Sequence, residues 1–367
     1  MNTIVVESTG KIQRITNRLE KTQPDFTALA KQVRDEGLLK KNPAFYIVRF
    51  AQITVITILL IIGVFLLHGN PWALLLAPFL GIMGAQYGFI GHEAAHKQIF
   101  VSGKKNSRFA LLVSNLFVGL SYGWWDKKKH NLHHANPNMI DKDPDINLNV
   151  LAFTKESYDN KKGVEKLLTK NQGFLFPFLL MFTGFDLLVS SYNALLSTKS
   201  DIENRVIEIT LITVRTVVPF VALFFLFNPF IAISFWLIQM MIFGLFMGGA
   251  FAPNHKGMPI IPRNSKVDFF RKQVLTARDI KGNWLIDNLM GGLNYQVEHH
   301  LFPSMPRSSL IRAQEITKLY CAEKNVLYVE TRLFESYAIV MRYLSRVGLQ
   351  ESDPFECPMV SSFRRVD

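Results

Sequence analysis

The chain has 367 residues, of which 49% are hydrophobic, with 30 phenylalanines and a formal net charge of +12. Such a composition indicates a protein that lies in lipid, and the basic residues, spread among acidic ones, argue against a nucleic-acid-binding protein. The two cysteines, Cys321 and Cys357, lie far apart without a C-x-x-C spacing, so neither a disulfide framework nor an iron–sulfur or zinc-ribbon site is indicated.

The first 46 residues form a mixed charged and polar segment in which we find no secretory signal peptide. Two uncharged runs follow at 50–67 and 71–90, separated by a turn of three residues, His68-Gly69-Asn70. Because a bilayer core about 30 Å thick takes about 20 helical residues, these runs predict a transmembrane hairpin.

A second hairpin is predicted at 206–227 and 230–252, joined by Asn228-Pro229. Glu208 and Arg215 lie two turns apart on one face of its first helix. Charged side chains inside a span are costly, so we expect these two either to pair with each other or to face protein instead of lipid.

The distribution of basic residues predicts the topology. Both tight turns contain no lysine or arginine, whereas 39 of the 41 lie in the two terminal segments and in 97–204. By the positive-inside rule, both termini and the long middle segment are cytoplasmic. Two further apolar stretches, 109–125 and 174–196, would place a lysine-rich segment outside if both spanned, so we expect them to lie in the interface or to re-enter.

These elements predict an all-α polytopic membrane protein with four transmembrane helices in two hairpins, interfacial or re-entrant helices and a cytoplasmic helical cap. The nine histidines bear on this cap. One, His68, lies in an exterior turn, and the other eight occur in four places near predicted cytoplasmic ends: His92 and His96; His130, His133 and His134; His255; and His299 and His300.

Residues three and four apart share a helix face, so the first two histidine groups each direct several imidazoles the same way. "HEAAH" at 92–96 also matches the H-E-x-x-H signature of zinc proteases, but a catalytic zinc takes only three protein ligands. Eight imidazoles suit two metals better, and imidazole also suits redox-active iron. A protease, a transporter and a structural metal site stay open as alternatives at this point.

The boxes H-x-x-x-H, H-x-x-H-H and Q-x-x-H-H, in this order around two hydrophobic hairpins, resemble those of the membrane fatty acid desaturases with a glutamine-type third box. The words "HNLHHANPNMIDKDPDIN" and "GGLNYQVEHHLFPSMPR" extend the resemblance. It covers about 47–327, which we take as the desaturase domain, and leaves 328–367 as a C-terminal cytoplasmic tail.

The resemblance implies a di-iron centre held by the eight histidines named above, with Asn254 reaching an iron through water. Gln296 replaces the histidine that opens the third box in many relatives; it would supply a neutral oxygen, bond a metal-bound water or leave a position open. Neither an H-P-G-G haem motif nor G-x-G-x-x-G occurs, so electrons would come from an external donor, a ferredoxin or a cytochrome-b-type protein with its reductase.

Several other residues are candidates for the surroundings of this centre. We expect carboxylates to orient ligand imidazoles, although solvated loop or capping roles are equally open. Tyr122, Trp124 and Trp125 would line an acyl tunnel or belong to an interfacial aromatic belt. The candidate carboxylates are Glu93, Asp141, Asp143, Asp145 and Glu298.

The implied reaction uses two ferrous ions, O₂ and two external electrons to remove one hydrogen from each of two adjacent methylene carbons, giving a cis double bond. The substrate is an acyl-CoA or an acyl-lipid, and Lys127 to Lys129 would meet its phosphates or merely mark the cytoplasmic side. A related di-iron lipid hydroxylase is the alternative. The bacterial inner membrane and the endoplasmic reticulum both fit as locations.

Overall fold

A computed structural model describes residues 25–148 and 150–350 of the chain. It is built almost entirely from helices. In chain order these are α1 Asp25–Asp35, α2 Pro43–Leu66, α3 Ala77–Ala95, α4 Gly103–Leu112, α5 Tyr122–Trp124, α6 Asn131–Ala135, α7 Lys155–Asp159, α8 Gly163–Lys170, α9 Gln172–Met181, α10 Thr183–Leu196, α11 Arg205–Leu226, α12 Pro229–His255, α13 Phe269–Leu275, α14 Trp284–Leu289, α15 Gln296–Leu301, α16 Leu310–Glu323 and α17 Leu333–Gly348.

Shorter elements complete the path. Two strands, β1 Asp279–Ile280 and β2 Glu330–Thr331, pair in parallel. The 3₁₀ turns are Pro71–Leu76 and Arg307–Ser309, and the π-helical turns are Val113–Val118 and Trp125–His130.

Among the described residues, and apart from the bent pair α9–α10, four helical segments are long and apolar enough to cross a membrane, in agreement with the predicted number of transmembrane helices. They are Pro43–Leu66, Pro71–Ala95, Arg205–Leu226 and Pro229–His255. The second and fourth continue past the predicted ends at 90 and 252, because the helix persists beyond the apolar run that defines a span in the sequence. Those extra residues include His92 on the second span and His255 on the fourth.

Local chemistry explains where the spans begin. Asn42 and Asn228 each accept a hydrogen bond from the backbone N–H three residues on, at 3.2 and 3.1 Å. Pro43 and Pro229 follow at the first helical position, where a missing N–H costs nothing.

The two additional apolar stretches are interrupted. The first contains α4, a π-helical turn and α5, and the second contains α9 and α10, which meet at a bend of 67°. The bent pair fits a broken span as well as a re-entrant segment, so the interfacial or re-entrant arrangement of both stretches stays a prediction.

Small residues let the fourth span approach both the second span and the α9–α10 stretch closely. A Cβ on Gly81 would lie 2.6 Å from the carbonyl oxygen of Gln239, and one on Gly244 would lie 2.5 Å from that of Met181 and 2.7 Å from the Gly184 nitrogen. Glycine at such crossings gives the backbone contact that drives helix association in lipid.

Glu208 and Arg215 face protein, the second of the two arrangements expected. The Glu208 carboxylate accepts hydrogen bonds from the Ser121 hydroxyl at 2.6 Å and from the Gly123 N–H at 3.1 Å. Arg215 donates from Nε to the Phe117 carbonyl at 2.9 Å. Both charged residues therefore tie the third span to the stretch that precedes the second histidine box.

Residues 330–348, which we assigned to the C-terminal tail, form β2 and α17 and pack against the rest of the described chain. Ser336 donates to the Pro253 carbonyl at 2.7 Å, and Gln172 donates to the Leu344 carbonyl at 2.9 Å. Cys321 is buried, and Cys357 lies outside the described residues.

Gly244→Ala tests the packing of the fourth span against α9 and α10. The added methyl meets backbone atoms that have no freedom to move away, so we expect a loss of stability of about 1–3 kcal/mol, measured as a lower thermal unfolding midpoint in detergent micelles. Gly103→Ala is the matched control, since a Cβ there meets nothing within 4 Å. Equal midpoints for both variants would contradict this packing.

Candidate metal centre

The eight histidines of the four predicted places converge at one end of the bundle. His92 lies on the last turn of α3, His96 caps that helix, and His255 is the last residue of α12. The others are contributed by the helices that follow the second and fourth spans: His130 by a π-helical turn, His133 and His134 by α6, and His299 and His300 by α15.

The imidazoles form two adjoining groups. Within each group the candidate ligand nitrogens all lie within 4.8 Å of one another. The groups meet where the rings of His134 and His300 stack at 4.2 Å between centroids. The five-histidine group is His92, His96, His130, His134 and His299, and the three-histidine group is His133, His255 and His300.

Several buried ring nitrogens of these groups have no hydrogen-bond partner among the described residues. They are Nε2 of His92, His299 and His300 and both ring nitrogens of His134. A buried polar atom left without a partner costs roughly 1–3 kcal/mol. A metal ion bound by these lone pairs would remove that cost, so the donor set fits one.

The electrostatics keep most of these rings neutral. Burial lowers the pKa of His134, His299 and His300 well below the usual histidine value, and neighbouring imidazoles lower it further. His133 differs: burial lowers its pKa, but Asp143 and Asp145 raise it more, and the net shift is upward. Neutral imidazole is the form that coordinates metals.

Three of these rings are held through the Nδ1 atom, which leaves Nε2 for a metal. His133 Nδ1 lies 3.0 Å from Asp143 Oδ1, His300 Nδ1 lies 2.9 Å from Gln273 Oε1, and His255 Nδ1 lies 3.0 Å from the Thr276 carbonyl oxygen. Such contacts fix the tautomer and the ring plane of a ligand histidine.

Sequence reasoning had named Asp143 for this role but missed Gln273 and Thr276. These two lie in "RKQVLTARD", which carries no recognisable motif. Asp145 lies farther from His133, at 3.7 Å from Nδ1, and also 3.8 Å from the Lys129 ammonium.

Gln296 and Asn254 border the three-histidine group. The Gln296 amide nitrogen lies 3.0 Å from His255 Nε2, and its oxygen accepts from the Asn254 amide at 3.2 Å. Asn254 also donates to the Leu293 carbonyl at 2.9 Å, and its Oδ1 is buried without a partner. The glutamine thus lies beside the candidate ligand nitrogen of His255.

Glu93 faces Arg307 and not a histidine. Its two carboxylate oxygens accept from Arg307 Nε at 2.7 Å and from Nη2 at 2.6 Å, and the two side chains are only 4% and 11% exposed. Tyr46 joins this pair by accepting from the Arg307 backbone N–H at 3.0 Å. Engaged in this way, Glu93 connects the first histidine box to the segment after the third, and it is not placed as a protease base.

The other two candidate carboxylates also lie away from the imidazoles. Asp141 is exposed and pairs with Arg263. Glu298 is buried, with a carboxylate oxygen 3.1 Å from the Tyr328 hydroxyl, and that hydroxyl donates to the neighbouring Asp279 at 2.6 Å.

Of the three aromatic residues, Trp125 is the one that reaches the site. Its ring stacks on His130 at 4.2 Å with an interplanar angle of 16°, and its centroid lies 5.6 Å from that of His92. The Tyr122 hydroxyl accepts from Lys97 at 3.4 Å, while Trp124 packs among side chains of α10 and α11.

The second box is positioned by the loop that Glu208 holds. Ser121 caps α5, and Gly123 must lack a side chain because a Cβ there would lie 2.8 Å from Glu208 Oε1. The chain then enters the π-helical turn Trp125–His130, so the stacking of Trp125 on His130 depends on this anchor.

The chain matches a known protein family. The sequence pattern of the family described as "Fatty acid desaturase" matches residues 69–332. The chain belongs to the fatty acid desaturase family. It is therefore an oxidoreductase, and the resemblance drawn from the histidine boxes is confirmed.

Three relatives illustrate the similarity. The chain is 30% identical to the Delta(6)-fatty-acid desaturase of Caenorhabditis elegans over 90% of its own length and 76% of that protein. It is 28% identical to the Delta(5) fatty acid desaturase of the same organism, over 85% and 71%. It is 28% identical to the Acyl-lipid (9-3)-desaturase of Physcomitrium patens, over 92% and 65%.

Asp143→Asn tests the support of His133. We expect the desaturase variant to remain folded but to bind metal 10- to 100-fold more weakly, because the acceptor that fixes the ring is weakened. The measurement is metal per chain after equilibration with graded chelator. Asp141→Asn, an exposed carboxylate two residues away, is the control, and a similar loss in both variants would contradict the assigned role.

Arg307→Met tests the buried ion pair. Removing one partner leaves the Glu93 carboxylate buried and uncompensated, so we expect destabilisation of about 3–5 kcal/mol in denaturant unfolding, with partial recovery in the double variant Glu93→Gln/Arg307→Met. Arg312→Met, at a solvent-exposed ion pair with Glu36, is the control and should leave the midpoint unchanged. Additive losses in the double variant would show that the pair is not coupled.

Proposed function

We propose that this chain is a membrane fatty acyl desaturase that introduces a cis double bond into an acyl chain, using a histidine-held di-iron centre, O₂ and two electrons from an external donor. The observation that carries the proposal is the convergence of eight histidines, several with buried and unpartnered ring nitrogens, in a member of the fatty acid desaturase family.

The proposed ligands are the eight histidines of the two groups. When bound, two irons supply the capacity to activate O₂, which no protein side chain has. We assign the five-histidine group to one iron and the three-histidine group to the other, with Gln296, or a water bonded to Asn254 Oδ1, completing the smaller set. The unequal size of the two groups supports this assignment, because the amide side chains of Asn254 and Gln296 lie beside the smaller group, which has fewer imidazoles.

The chain's own residues would prepare the site. Asp143, Gln273 and Thr276 hold three imidazoles in the tautomer that directs Nε2 inward, and Trp125 covers His130 on one ring face. The overall reaction balances when a –CH₂–CH₂– unit, one O₂, two electrons and two protons give –CH=CH– and two waters. Burial of the site keeps the reacting oxygen from bulk water.

The substrate is a fatty acyl chain carried by coenzyme A or by a membrane lipid. One relative is named an acyl-lipid desaturase, and two others are named for Delta(6) and Delta(5) fatty acid desaturation. With the basic segments on the cytoplasmic side, the histidine-bearing end of the bundle would face the cytoplasm, where a soluble electron donor reaches it.

Expression in a host with a ferredoxin and its reductase tests the proposal. We expect new unsaturated species among total fatty acid methyl esters, whose double-bond position and parent lipid class are read from the same analysis. His134→Ala should lower the amount of product at least 100-fold, because it removes an imidazole that lies where the two histidine groups meet. His68→Ala, which changes a histidine outside the cluster, should leave the amount of product unchanged.

Two outcomes would contradict the proposed reaction. Hydroxylated chains in place of unsaturated ones would indicate the related lipid hydroxylase. Equal activity of His134→Ala and wild type would remove the histidine cluster from the chemistry.

A further inference from the structure

A basic cleft lies on the surface beside the second histidine box. It has a volume of about 490 Å³ and is lined by residues of two segments, 136–142 and 261–272. Three lysines face it: Lys142, Lys266 and Lys272. Its one carboxylate, Asp268, caps α13 and pairs with Arg271 at 3.2 Å, so the cleft keeps a positive balance.

The cleft is one residue away from the supports of two ligand histidines. Lys142 precedes Asp143, which holds His133, and Lys272 precedes Gln273, which holds His300. In two separate segments of the chain, a cleft lysine thus directly precedes the residue that supports a histidine. Both histidines belong to the three-histidine group, so the cleft adjoins the side chains that support that group.

Direct bonds connect the cleft walls to the second box. Lys272 donates to the Ala135 carbonyl at 2.7 Å, and Gln273 donates to the His134 carbonyl at 3.0 Å while its oxygen faces His300 Nδ1. Asn136, another cleft residue, is the C-cap of α6.

Buried, hydrogen-bonded polar residues separate the cleft lysines from the histidines. The buried residues there are Asn138, Asp143 and Gln273. Asn138 donates from its backbone N–H to the Asp143 carboxylate at 2.7 Å and from its side-chain amide to the His255 carbonyl at 3.1 Å. An acyl chain has no way through such a wall, whereas an electron passes through bonded atoms. The cleft therefore suits a partner that delivers electrons and not the substrate.

We propose that this cleft is the docking site for an acidic electron-carrier protein, which delivers electrons one at a time to the three-histidine side of the centre. The proposal rests on the proposed function, since the two electrons are those that the desaturation requires. Charge complementarity selects the partner: exposed lysines around a cleft attract a carrier with a carboxylate-rich surface and speed its encounter.

The test uses the full chain in detergent micelles and an acidic [2Fe–2S] ferredoxin as the probe. Lys142→Glu/Lys266→Glu reverses two cleft charges while sparing Lys272, which bonds the second box. We expect ferredoxin binding, measured by calorimetry at low ionic strength, to weaken at least tenfold. The difference should fall when salt is raised, because salt screens exposed charges.

Lys104→Glu/Lys105→Glu is the matched control, with the same charge change at an exposed site on α4. We expect this control to bind ferredoxin within about twofold of wild type, as a local docking site requires. Equal weakening of ferredoxin binding in both double variants would overturn the proposal, because it would show attraction by the overall positive surface and not by the cleft. Unchanged binding in the cleft variant would also overturn it.

Steady-state kinetics separate the carrier from a phosphate-bearing substrate. The cleft variant should show a raised KM for ferredoxin with kcat and the KM for acyl substrate unchanged. A raised KM for acyl substrate alone would assign the cleft to a phosphate group of that substrate and overturn the proposal. Wild-type protein that binds ferredoxin but forms no unsaturated product would instead contradict the proposed function.

Discussion

Eight imidazoles crowded into one buried space are the constraint on which the rest of this structure depends. Burial and mutual proximity keep most of them neutral, and several of their nitrogens find no partner within the described part of the chain. A bound cation would satisfy these lone pairs and remove the cost in stability of each unmatched buried nitrogen. The fold is arranged so that this costly cluster forms in one place.

The spans supply the rigid part of that arrangement. The second and fourth cross with glycines at the contact and project their last turns, with His92 and His255, beyond the apolar region. Polar contacts then fix the remaining boxes: Glu208 anchors the loop before the second box, and the Glu93–Arg307 pair ties the first box to the segment after the third. These charged side chains would be costly in contact with lipid, but here they are hydrogen-bonded within the protein and hold the histidine boxes in position.

Sequence reasoning predicted the parts of this structure that are local. Apolar run length located the four spans, and helical spacing grouped the box histidines, because both depend on residues near each other in the chain. The contacts of Gln273 with His300 and of Arg307 with Glu93 join residues 27 and 214 positions apart, and no periodicity announces them. Glu93 illustrates the limit: its place beside a ligand histidine suggested a support for imidazole, but a distant arginine occupies both its oxygens.

The central claim is that the eight histidines form one centre for two metal ions. X-ray absorption at the iron edge on purified, iron-loaded protein, together with iron counted per chain, tests it most directly. The account predicts about two irons per chain with a first shell dominated by imidazole nitrogen. A single zinc per chain, or iron bound mainly by oxygen ligands, would contradict it.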